Sequence, residues 1–246
     1  MHFQNFLHRA AVLAICGMIC VSSLAAQAGG NDAAQKTPLV ALTFDDGPSM
    51  TNTAKILDVL EEHGARATFF VVGERVAQNA AVLQRAVSLG CEIGNHTWNH
   101  KKLTELTAEQ IRAQLEKTDD AVFDATGVRP HLVRAPCGRY GCYACRALDR
   151  PVILWSVDPR DWSYAADRTG NTAQNRETVI RAATENVRDG DIILLHDLYA
   201  FTADCCETIV ERLQEAGFSL VTVSELMASR GVRLQSGKTY RRVPTE

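Results

Sequence analysis

Two aspartates stand side by side in the segment Thr43-Phe44-Asp45-Asp46-Gly47-Pro48. Like charges this close disfavour double ionisation, and a bound cation relieves the conflict. One carboxylate can then ligate a metal while its neighbour serves as a base; a solvated Asp-Gly turn is the competing reading of the hexapeptide alone. Further on, Gly94-Asn95-His96-Thr97-Trp98-Asn99-His100 carries histidines at i and i+4. That spacing can bring two imidazole nitrogens to one ion, and two histidines with a carboxylate are a common divalent-metal set that leaves positions open for water and substrate. Arg134-Ala135-Pro136-Cys137-Gly138 offers a guanidinium able to clamp a carboxylate, or to make a plain surface ion pair. Asp158-Pro159-Arg160-Asp161-Trp162 adds carboxylates and an indole, suited to the apolar face of a sugar or to a core. Leu194-Leu195-His196-Asp197 supplies a third histidine, a candidate general acid, although a lone histidine is by default a satisfied core residue. Each segment is weak alone. Jointly they point to a metal-assisted site.

Such residues need a frame that brings distant segments together. Apolar, β-branched runs predict strands at Leu39 to Phe44, Ala67 to Val72, Cys91 to Asn95, His131 to Ala135, Pro151 to Val157, Asp191 to Leu195 and Phe218 to Val223. Helical periods fill Thr51 to His63 and Glu74 to Leu89, ended by Gly64 and Gly90. They continue in Thr107 to Thr126, which the capping box Thr107-Ala108-Glu109-Gln110 opens, then in Asn175 to Arg188 and Ala203 to Ala216. Strands apolar throughout and joined by helices indicate a parallel sheet buried on both faces. The strand count suits a closed or nearly closed β/α barrel, and no Gly-rich phosphate loop follows the first strand. The polar residues fall at the C-terminal strand ends, where barrels build their sites.

The chain has 246 residues and a formal net charge of −3. No basic face is evident, so a nucleic-acid partner is not expected. Arg9 leads into an apolar run from Ala10 to Leu24, followed by Ala26-Gln27-Ala28. This reads as a cleavable signal peptide over residues 1–28, with export to the periplasm or medium and no stable membrane insertion afterwards. Residues 29–37 form a short N-terminal segment, 38–230 one catalytic domain, and 231–246 a polar tail expected to be loosely ordered. Six cysteines lie beyond residue 28. An oxidising compartment favours pairing, and Cys142-x-x-Cys145 reads as a structural disulfide, since neither a thioredoxin-like context nor a second zinc-type pair accompanies it.

In this order the five segments resemble the motifs of the polysaccharide deacetylase (NodB-homology) family, carbohydrate esterase family 4. That family's pattern is T-F-D-D-G, H-[ST]-x-x-H, R-x-P-[YF]-G, D-x-x-D-W and L-x-H. Here it runs Thr43 to Gly47, His96 to His100, Arg134 to Gly138, Asp158 to Trp162 and Leu194 to His196. The resemblance implies an α/β fold, a single-domain distorted (β/α)7 barrel. It implies a hydrolase that removes N-acetyl groups from an N-acetylglucosamine-containing polysaccharide such as peptidoglycan, chitooligosaccharide or exopolysaccharide. Asp46, His96 and His100 are expected to hold a divalent metal, zinc foremost, with cobalt or nickel also suited. Asp45 is expected to act as general base, oriented by Arg134, and His196 as general acid, oriented by Asp161. The Cys137 backbone N–H is expected at the oxyanion, with Leu194 and Trp162 lining the acetyl pocket and sugar groove. Cys137 stands where the family usually has an aromatic residue, and a disulfide to Cys142 or Cys145 could stiffen that loop instead. Competing readings are an O-acetyl esterase of the xylan type and a non-catalytic glycan-binding barrel. A phosphatase with a nucleophilic aspartate is disfavoured by Gly47, which occupies the position of a second acid.

Overall fold

Leu39–Asp45 (β1) is apolar along its length and almost wholly buried, as a strand covered on both faces must be. It pairs in parallel with Ala67–Val71 (β2) on one side and Ile192–His196 (β5) on the other, and β2 pairs with Glu92–Asn95 (β3). The computed structural model describes residues 37–139, 141, 148–165 and 170–244. Within them the main sheet runs β3-β2-β1-β5, and Ser219–Leu220 (β6) joins the start of β1. Single bridges carry the ring onward. Asn95 pairs with Val133, Val133 with Val152 at the start of Val152–Ile153 (β4), and Val157 with Ile193 of β5. The circuit is a parallel β/α barrel whose far side has thinned to bridges, in keeping with the distorted barrel expected.

Helices Asn52–Glu62 (α1), Ala80–Ser88 (α2), Ala108–Thr126 (α3), Ala173–Thr184 (α5) and Ala200–Glu215 (α6) cover the outer face, with a short turn, Trp162–Ala165 (α4), and a last helix, Val223–Ser229 (α7). Ile56, Leu57 and Leu60 of α1 and Ile209, Val210 and Leu213 of α6 pack with Phe44 and Phe69 in one apolar cluster. The expected capping box opens α3: Thr107 accepts from the Gln110 N–H while Gln110 accepts from the Thr107 N–H. Gly127, in the left-handed region, closes that helix.

Several elements depart from the sequence expectation for identifiable reasons. The strand expected at His131 to Ala135 is reduced to the two single bridges of Val133. Pro130 and Pro136 flank it and can donate nothing to a ladder. The strand expected at Pro151 to Val157 shrinks to Val152–Ile153, because the carbonyls of Ile153 and Leu154 accept from the Arg134 guanidinium. The helix expected from Glu74 begins only at Ala80, after two 3-10 turns. The N–H groups of Gly73 and Glu74 are committed instead to the carbonyls of Thr97 and Trp98. The last strand stops at Leu220 because Thr222 caps α7 with a second capping box. The polar stretch after Gly231 is not loose where it is described. Thr239–Tyr240 (β7) pairs with β4, and Tyr240 is buried. Cys91, Cys137, Cys205 and Cys206 are free thiols, so the bridge considered for Cys137 is not formed. The expected Cys142–Cys145 bridge lies outside the described residues. No described helix is long and apolar enough to cross a membrane.

Candidate active site

The C-terminal ends of β1, β3 and β5 meet at one mouth of the barrel. β1 delivers Asp45 and Asp46, β3 leads into His96 to His100, and β5 ends in His196. The backbone there is bent into conformations that side chains ordinarily avoid. Among the described residues, the non-glycine positions with positive φ are Asp46, Thr97, His100, Cys137, Arg160 and Asn186, and all but Asn186 lie within the five motifs. Such residues cost on the order of 1–3 kcal/mol each and persist only where surroundings over-determine them. Those surroundings are visible. Asn95 caps the Thr97 N–H with its Oδ1 and donates through Nδ2 to the Leu115 carbonyl and Asp119. Gln114 of α3 accepts from the N–H groups of both Trp98 and Asn99.

Asp46, His96 and His100 each offer a ligand atom, and these atoms lie within 4.8 Å of one another. The Asp46 Oδ1 sits 3.4 Å from His96 Nε2 and 3.2 Å from His100 Nε2, yet it is buried and makes no hydrogen bond. Burial works to raise the Asp46 carboxyl, but the contact with His96 and the charges of His96, His100 and His196 hold it down at about 2, so it stays ionised. His96 Nδ1 lies 2.8 Å from the Arg134 carbonyl, which can only accept; the proton is on Nδ1 and Nε2 is left to face the cluster. An orphaned carboxylate oxygen facing two imidazole nitrogens, one with its tautomer fixed from behind, is a donor set that fits a divalent cation.

Two supported pairs flank this cluster. Arg134 is wholly buried, and its Nη1 donates to Asp45 Oδ1 at 2.7 Å and to Thr43 Oγ1 at 2.9 Å. Its other hydrogen bonds go to the carbonyl of Ile153 in β4 and to that of Leu154 just beyond it, and its plane lies over the Phe70 ring. Asp45 therefore has one oxygen fixed and the other, Oδ2, turned toward His96 Nε2 at 3.7 Å. On the other side, Asp161 is fully buried and accepts from the His196 Nδ1 at 2.9 Å, the His196 N–H at 2.8 Å and the Thr202 hydroxyl at 2.6 Å. Burial lowers the basicity of His196, but the hydrogen bond and charge of Asp161, with Asp45 and Asp46 beyond, overcome it and raise the imidazole to about 9. At neutral pH His196 is thus loaded with a proton on Nε2.

A cavity of about 370 Å³ joins these groups. Asp45, Asp46, His96, His100, Cys137, Trp162, Leu194 and His196 all line it. Arg134 and Asp161 stand behind it as supports, so every residue singled out from the sequence is brought to this one place. Cys137 is exposed, and its N–H has no hydrogen-bond partner among the described residues. Trp162 is 43% exposed at the wall of the cavity. Sequence reasoning missed Trp155 and Tyr199, which also line the cavity; the only signal was an aromatic residue near each of two motifs. It also gave Asp197 no role. That buried carboxylate accepts from the Gly47 N–H at 2.9 Å and the Thr53 hydroxyl at 2.5 Å, pinning the turn after Asp46 to the end of β5. A Cβ on Gly47 would lie 2.2 Å from Asp197 Oδ2, which explains the glycine.

Fold and site together define a β/α barrel with a two-histidine, one-carboxylate cluster set between an arginine-supported carboxylate and an aspartate-supported imidazole. The family model for polysaccharide deacetylase matches residues 32–150, which hold the first three motifs. Peptidoglycan-N-acetylglucosamine deacetylase PgdA of Listeria monocytogenes is 38% identical over 201 residues, covering 82% of this chain and 41% of the relative. The chain thus spans about two fifths of the length of that curated relative. Chitooligosaccharide deacetylase of Rhizobium leguminosarum bv. trifolii is 34% identical over 209 residues, covering 80% of this chain and 89% of the relative. A family 4 acetyl xylan esterase from Clostridium thermocellum, solved with a cobalt ion, superposes with a TM-score of 0.76 at 33% identity, over 84% of this chain and 100% of that one. The chain belongs to the polysaccharide deacetylase family.

Proposed function

We propose that this chain is a metal-dependent polysaccharide N-deacetylase, releasing acetate from N-acetylglucosamine-containing glycans such as peptidoglycan, chitooligosaccharide or exopolysaccharide. One observation carries the reading: Asp45–Arg134 and His196–Asp161 flank the Asp46, His96 and His100 cluster within a single cavity. Asp46, His96 and His100 hold the divalent cation, for which zinc is the first choice and cobalt or nickel alternatives. When bound, the cation supplies Lewis acidity, polarising the acetyl carbonyl and acidifying water.

The protein's own groups do the rest. Asp45, oriented by Arg134, takes a proton from the attacking water as its oxygen bonds to the amide carbon. The Cys137 N–H donates to the developing oxyanion. His196, protonated and steered by Asp161, gives its Nε2 proton to the amide nitrogen as the C–N bond breaks. Acetate and the free sugar amine leave, and the proton held on Asp45 restores the acid. Leu194 and Trp162 shape the acetyl pocket and the sugar groove. Residues 1–28 serve as a cleaved signal peptide that delivers the enzyme to the periplasm or the medium, where such polymers lie.

The test is acetate release by the purified protein from N-acetylglucosamine oligomers and peptidoglycan, as isolated, after chelation and after zinc is restored, with Asp45→Asn as control. Release abolished by chelation, restored by zinc and absent from Asp45→Asn is the expected result. No release from any amide substrate by the metal-loaded protein refutes it. The similarity to an acetyl xylan esterase favours one second reading, an O-acetyl esterase, which release from acetylated xylan but not from amides would identify.

A further inference from the structure

Residues 233–242 hold four cations and no acid, on a chain whose formal net charge is −3. This run is folded against the barrel. The Val152 N–H donates to the Lys238 carbonyl, the Leu154 N–H to the Tyr240 carbonyl, and the Val243 N–H to the Gly190 carbonyl. Tyr240 is buried, and its hydroxyl accepts from the Gln235 N–H at 3.1 Å, which pins the preceding turn. The run borders a hollow of about 550 Å³, whose charged walls are Arg233, Lys238, Arg241 and Arg242. No carboxylate lines it. Arg242 is paired with Asp191. Arg233, Lys238 and Arg241 are exposed, and their side chains make no hydrogen bond or ion pair among the described residues. The bordering acids are engaged elsewhere, Asp149 by Arg150 and Asp189 by Arg230. Lys238 meets the start of β4, and Arg242 bridges to Asp191 just before β5. The hollow therefore lies at the end of the strands opposite the catalytic mouth.

A cleft walled by one sign of charge focuses its field and draws ions of the opposite sign. Three unpaired cations held in a fixed clasp repel one another, and a multiply charged anion relieves that cost. A carboxylate or a sulfate ester supplies a single charge. A phosphate monoester carries about −1.5 to −2 at neutral pH on three acceptor oxygens, which guanidinium forks grip in pairs. The hollow is roomier than a bare phosphate needs and lies within the roughly 300–1,000 Å³ of small-molecule sites. Val232 and Tyr240 give part of it an apolar wall. We propose that Arg233, Lys238 and Arg241 form a second, non-catalytic site for an organic phosphate monoester, presented by a soluble sugar phosphate or by the headgroup of a phosphate-ended lipid. A ligand fixed there leaves the catalytic mouth open, and a headgroup would turn that mouth away from the membrane. This site goes beyond the deacetylase reading and does not depend on it.

The test is calorimetric titration of the full chain, with and without zinc, using glucose 6-phosphate and glucose 6-sulfate. Binding at the catalytic cluster is recognised by its need for zinc. The phosphate is expected to bind about ten-fold more tightly than the sulfate in both states. Arg233→Gln combined with Arg241→Gln should weaken phosphate binding roughly ten-fold or more and bring the ratio close to one. The thermal midpoint should stay in place, since both side chains are exposed. Lys238→Gln, which removes a point charge but no fork, should cost less. Co-sedimentation with phosphatidylcholine vesicles, with and without phosphatidic acid, separates the two sources. Pelleting that needs phosphatidic acid and is lost in the double variant assigns a lipid headgroup; soluble binding alone assigns a free sugar phosphate. Three results overturn the site: no zinc-independent binding in either arm, equal measurable affinities for phosphate and sulfate, or phosphate binding that survives the double variant.

Discussion

A buried carboxylate that accepts two hydrogen bonds and meets no counter-charge, as Asp197 does, sits in an environment that favours its neutral form. Burial raises Asp197 to about 7, against the pull of the Thr53 hydroxyl and the Gly47 N–H. The folded value lies above the unfolded one, so its contribution to stability is full at acid pH and declines as pH rises toward and through about 7. Urea midpoints followed from pH 4 to 8 should therefore fall less for Asp197→Asn than for the unsubstituted chain; parallel curves would count against this. Asp197→Ala goes further, leaving the Gly47 N–H and the Thr53 hydroxyl without acceptors at about 1–3 kcal/mol each. It should lower the unfolding free energy by that order and weaken zinc binding roughly ten-fold, since Asp46 is carried by the turn that Asp197 pins. His196 makes the complementary case. Its value near 9 rests on Asp161, so Asp161→Asn should draw the alkaline limb of kcat/KM to lower pH and cost about 10²–10⁴ in rate. A pH–rate profile with an unmoved alkaline limb would remove Asp161 from that role.

At the scale of elements, α3 is the platform for the His96 to His100 loop. Gln114 holds two successive N–H groups of that loop, so Gln114→Ala should loosen zinc binding about ten-fold while leaving helix content unchanged, a split that metal titration and circular dichroism together read. How much of this was legible in the sequence follows from what each element depends on. β1, β2 and β5 are largely apolar runs whose composition states their burial, and the capping residue Thr107 announces α3 by local chemistry alone. The stretch around β4 was not legible, because its carbonyls answer to a guanidinium on another segment. The start of α2 was lost for a similar reason, its upstream N–H groups being claimed by Thr97 and Trp98. The Asp46, His96 and His100 cluster was readable because these residue types are rare at strand ends. Asp197 was not, since a carboxylate next to His196 looks the same in sequence whether it faces solvent or a turn.

For the whole molecule, a cation held as proposed is a structural tie as well as a reagent, since Asp46 follows β1 and both histidines follow β3. With free zinc at a hundred times its dissociation constant the folded state gains about 2.7 kcal/mol. Chelation should therefore lower the thermal midpoint by roughly 5–10 °C for a chain of this size, as scanning calorimetry would show. The adjacency of β1 and β5 has a further meaning in time. The Asp45 carboxylate and the His196 imidazole meet across directly paired strands, yet nearly the whole domain separates them along the chain. Loop closure over such a distance is slow and comes late. On the function proposed above, a chain that has folded its first three strands already has Asp45 and the Asp46, His96 and His100 cluster but not His196. Such a chain would take up the proposed cation before it could act, and only the docking of β5 would complete the site. In refolding, metal uptake should precede activity, and the interval between them would time the closing of the barrel.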